Sequence, residues 1–117
     1  MRKFILLIIA CLAFTSLFAQ SDYYLKKAES YTREAENYQK KANGYRREAD
    51  YYLKKAYGYE HEAAYYLKRG DISRAQTPQR NARDATYKAE TQTRYAREAD
   101  EKAAQYLRLA ADALKHN

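Results

Sequence analysis

The sequence predicts an all-α protein: a long antiparallel two-helix hairpin, built as an Ala/Tyr heptad coiled coil, after a cleaved signal peptide. Three ladders predict it. Tyrosine recurs every seventh residue at Tyr24, Tyr31, Tyr38, Tyr45, Tyr52, Tyr59 and Tyr66, and alanine keeps the same period at Ala28, Ala35, Ala42, Ala49, Ala56 and Ala63. Beyond Gly70-Asp71 a further alanine ladder runs through Ala75, Ala82, Ala89, Ala96, Ala103 and Ala110. Gaps of alternately four and three residues keep each pair of ladders on one helix face, and a strict period of seven makes that face a left-handed coiled-coil seam.

Residues 1–19 read as a secretory signal: Arg2 and Lys3, an apolar run from Phe4 to Phe18, and Ala19 before the cleavage point. That run is too short to span a bilayer, and nothing in the mature chain is apolar enough to do so. Ile8-Ile9-Ala10-Cys11 offers a lipid anchor as the alternative, but Cys11 comes early, with apolar residues continuing behind it. The expected location is therefore secreted or periplasmic. Cysteine leaves with the signal, so the mature chain has neither disulfide nor thiol chemistry, and helix packing or oligomerisation must stabilise it. Removing Arg2 and Lys3 leaves 20 basic against 15 acidic residues, a formal charge of +5. That balance favours solubility and gives a mild preference for polyanions, without a polybasic tail.

Residues 20–117 form the hairpin, with one helix over 22–69, a turn at 70–71 and a second helix over 72–116. If alanine occupies heptad position a and tyrosine d, position f reads Lys26, Arg33, Lys40, Arg47, Lys54, His61 and Lys68, a basic row with a residue about every 10 Å at 1.5 Å per residue. Position g alternates in sign from Lys27 to Glu62, so the full repeat is fourteen residues, and Asp22–Ala28 recurs unchanged as Asp50–Ala56. Asn43-Gly44 and Gly58 carry break signals, yet the ladder passes through both in phase, which predicts one uninterrupted helix.

Gly70 supplies a left-handed closing residue and Asp71 a cap for the next helix. The stretch from Ala64-Tyr65-Tyr66 through Gly70-Asp71 to Ala75 and Ala82 is similar to the turn of a tetratricopeptide repeat. The resemblance covers one turn, without the 34-residue period on either flank, and implies helix-turn-helix geometry alone. In the second helix Ala85, Gln92, Ala99, Tyr106 and Ala113 join the alanine ladder. Pro78 either kinks a helix that starts at 72, or stands in first position behind a Thr77 cap; Ala75 is already in phase, which favours the kink. A reversal at Gly70-Asp71 sets residues whose numbers sum to 141 level, so that Tyr45 faces Ala96 and every large seam residue of the first helix meets a small one.

Two surface features bear on function. Lys26, Arg33, Lys40, Arg47, Lys54 and Lys68 could track a polyanion such as nucleic acid, anionic glycan or lipid head groups. The plainer reading is a solvated face, supported by i,i+4 acid-to-base pairs such as Glu29 with Arg33. Tyr23, Tyr51, Tyr57, Tyr65, Tyr87 and Tyr95 fall outside the seam and suit a self-association or partner surface; alternatively they shoulder the seam and cover alanine. Arg69-Gly70-Asp71 spells an adhesive tripeptide, although a helix end and a cap explain the same letters.

His61 and His116 are too few for a metal site, and no catalytic, cofactor-binding or phosphate-loop constellation is present, so neither enzyme activity, cofactor nor small-molecule substrate is expected. The expected function is a structural or protein-interaction module whose partner is a second copy or another helical protein. A polyanion binder and a holdase-like periplasmic chaperone are the alternatives, the latter on fold-level analogy alone.

Overall fold

A computed structural model describes residues 22–115; the predicted signal segment, Cys11 and His116 lie outside them. The described chain is helical throughout apart from the connection at 69–71. Helix α1 runs Asp22–Lys68 and helix α2 runs Ile72–Lys115. α1 passes through Asn43-Gly44 and Gly58 without interruption, and the Asn43 amide oxygen accepts from Arg46 Nη2 at 2.7 Å.

Gly70 adopts φ +77° and closes α1 in a Schellman arrangement. Its N–H donates to the Leu67 carbonyl at 3.0 Å, and that of Asp71 reaches back to the Tyr66 carbonyl at 2.9 Å. Asp71 also starts α2. Its carbonyl accepts the Ala75 N–H at 3.2 Å and its Oδ1 accepts the Arg74 N–H at 3.1 Å, the bond expected of an N-cap. α2 therefore begins ahead of Pro78 and includes it, which overturns the Thr77-cap alternative. Pro78 is buried and stands seven residues before Ala85, so it belongs to the same inward ladder.

The described residues form two compact units, 22–40 with 99–115 and Lys41–Glu98. In the first, Ala28, Ala110, Ala113 and Leu114 cluster with Leu25 and Tyr31 packed against them. Tyr106 lies between two tyrosines of α1, its ring centroid 6.1 Å from that of Tyr31 and 5.7 Å from that of Tyr38. Buried Thr32 donates its hydroxyl to the Ala28 carbonyl at 2.8 Å, which removes the cost of an unpaired polar group there.

The second unit is itself a helical hairpin around the Gly70 turn, with Ala42, Ala49, Ala56 and Ala63 of α1 and Ala75, Ala82, Ala89 and Ala96 of α2 all buried. Each buried methyl contributes roughly 0.8 kcal/mol. The seam tyrosines are only half-buried. Their rings do not simply lie against alanine, as strict large-on-small pairing would have it. Tyr45 meets the Tyr95 ring at 5.5 Å and Tyr52 lies under Lys88 Nζ at 5.6 Å, pairs whose numbers sum to 140. The reason is the helical wheel: a ring at d emerges at the seam's edge, and position g of the antiparallel helix stands there. In the first unit Lys102 Nζ lies 5.5 Å over the Tyr38 ring in the same relation.

Candidate interaction surfaces

The basic row stays on the outside of α1. Lys26, Arg33 and Lys40 in the first unit, and Arg47, Lys54, His61 and Lys68 in the second, are all exposed. None of them is among the residues that line the groove and the cleft of the second unit described below.

All six tyrosines outside the seam are exposed as well, but they divide. Tyr51 and Tyr65 share one arrangement, and Tyr23 of the first unit repeats it. Each meets the next seam tyrosine edge-on, Tyr23 with Tyr24 at 5.1 Å, Tyr51 with Tyr52 at 5.3 Å and Tyr65 with Tyr66 at 5.4 Å. A cation four residues on lies over each outer ring: Lys27 at 5.6 Å, Lys55 at 5.0 Å and Arg69 at 4.5 Å. Each contact stabilises by about 0.5–1 kcal/mol when exposed. The carriers are Tyr23-Tyr24-Leu25-Lys26-Lys27, Tyr51-Tyr52-Leu53-Lys54-Lys55 and Tyr65-Tyr66-Leu67-Lys68-Arg69, one cassette three times over. Sequence reasoning missed Lys27, Lys55 and Arg69. The signal was present, because position g of α1 is basic wherever position c is tyrosine and Glu wherever c is Ser or Gly. The Lys55 pKa is held above the usual lysine range, first by a side-chain hydrogen bond with Tyr51 and then by charge interaction with it.

Beside this arrangement the second unit has a polar cleft of ≈ 150 Å³ lined by Tyr52, Lys55, Tyr59, Asn81, Asp84 and Lys88. Tyr95, against Tyr45, continues that side by helical phase. No family model matches the chain, and neither a curated protein nor a solved structure shows significant similarity to it.

The other side of the same unit is different. An open groove of ≈ 720 Å³ runs between the helices, with buried Ala63 and Ala82, exposed Ala64, Leu67 and Tyr87, and Glu60 and Arg83 among its polar residues. Tyr87 is 68% exposed, the most exposed tyrosine described. Tyr57 lies by helical phase on the outer edge of this side, its ring edge-on to His61 at 4.5 Å.

The adhesive-looking tripeptide is engaged within the turn. Asp71 Oδ2 stands 3.4 Å from Arg74 Nε, its Oδ1 caps α2, and the Arg69 guanidinium lies over Tyr65. Among the described residues no helix is long and apolar enough to cross a membrane, and no group of three or more His, Cys, Asp or Glu could hold a metal ion.

Proposed function

We propose that this chain is a non-enzymatic, secreted or periplasmic structural and protein-interaction module, a long Ala/Tyr antiparallel coiled-coil hairpin that associates with its own kind. One contrast supports the reading. The buried residues among those described are fifteen alanines, Pro78, Thr32 and Leu114, whereas ten large apolar side chains are exposed. A small chain with so little side-chain volume in its core ordinarily needs a staple, and without a cysteine in the mature sequence that staple is oligomerisation. Exposed tyrosine suits such a surface, since it combines large apolar area with a polar tip. Molar mass in solution tests the reading: a dimer or higher species that persists at moderate salt is expected, and a monomer throughout the micromolar range contradicts it.

The exposed cations of the f row favour polyanion binding as the second reading. Adding a polyanion at low salt should then produce a complex that weakens steeply as salt rises, because counterion release drives it. Assembly through apolar contact should hardly respond to the same change.

A further inference from the structure

We propose that the groove of the second unit is the self-association surface, docking against the same groove of a second copy of this chain. This inference rests on the self-association reading and names its site.

The groove carries both halves of a contact. Small side chains, Ala63, Ala64 and Ala82, line it and leave the recess; Tyr87 at its edge is the projecting ring that fits one. It also carries both charges, with Glu60 on α1 and Arg83 on α2. A surface that holds knob and recess, and acid and base, is self-complementary, which is what an isologous contact demands. Another partner would have to supply the matching set independently.

Tyr51, Tyr65 and Tyr95 lie on the opposite side, where a cation already lies over each of the three rings, and they stay outside this contact. They serve as the control. Light scattering on the full exported chain, with circular dichroism to check helix content, compares wild type with Ala64→Arg, Tyr87→Ser and Tyr65→Ser. All three positions are exposed, so each variant should fold. The expected result is a wild-type dimer, at least tenfold weaker association for Ala64→Arg and for Tyr87→Ser, and no change for Tyr65→Ser. A dimer that survives Ala64→Arg and Tyr87→Ser, or is lost with Tyr65→Ser, overturns the groove while leaving self-association standing. A monomeric wild type overturns both.

Discussion

The Asp71 amide donates to the Tyr66 carbonyl at 2.9 Å, while Asp71 Oδ1 accepts the Arg74 N–H at 3.1 Å. The last bond of one helix and the first cap of the next thus share a residue. Asp71→Ala keeps the backbone bond and removes the cap, so it should cost about 0.5–2 kcal/mol in a chemical or thermal melt. Asp71→Asn should restore most of it. Equal losses in the two variants would mean that the side-chain oxygen is not what starts α2.

Gly44 and Gly58 lie inside α1 with nothing within 4 Å of the space a Cβ would take. Gly44→Ala and Gly58→Ala should each therefore stabilise by about 1 kcal/mol, the difference in helix propensity. The sites are fourteen residues apart, so the double variant should be additive. A melting temperature lowered by either change would show that the small side chain at position c makes room for something.

Ala96 is buried in the α2 seam and Ala104 is exposed. Ala96→Leu forces the helices apart or strains a rotamer, at roughly 1–3 kcal/mol, whereas Ala104→Leu should stay within about 0.5 kcal/mol. Both are good helix formers, so propensity cannot separate them. Matching melting temperatures for the two variants would contradict the buried alanine ladder.

Lys55 holds its proton more tightly in the folded chain, chiefly through Tyr51. A raised lysine pKa contributes stability that is fully present below the unfolded value and is lost as pH rises through the folded one. A small loss of stability is thus expected above about pH 10.5, lysine's ordinary value. Tyr51→Phe removes the hydroxyl and should move the Lys55 titration, followed by nitrogen NMR of its ammonium, back down. An unchanged titration would show that Tyr51 is not the cause.

The two helices were legible because period and punctuation agree: the Tyr and Ala ladders cross Asn43-Gly44 in phase, and Gly70-Asp71 combines a left-handed residue with a cap. The contacts of the tyrosine rings were not legible. Seven-residue spacing places Tyr45 and Tyr52 on the seam, but whether a ring rests on an alanine at a or on Tyr95 and Lys88 at g depends on how far each helix is rotated about its own axis. The same rotation decides which outer tyrosines share a face. Tyr51 and Tyr87 read alike in sequence, as aromatics outside the seam, and they lie on opposite sides of the second unit. The groove escaped notice for a related reason, since Ala64, Leu67 and Arg83 acquire meaning only when residues of both helices are brought together.

An alanine-lined seam also sets the temperature dependence of stability. The heat-capacity increment of unfolding grows with the apolar surface newly hydrated, and alanine hides one methyl where leucine or phenylalanine hides a whole side chain. Per residue the increment should fall below the ~12–15 cal/mol/K of ordinary globular domains. The stability curve flattens accordingly, and on either side of its maximum these helices should lose stability more slowly than a chain relying on a large oily core.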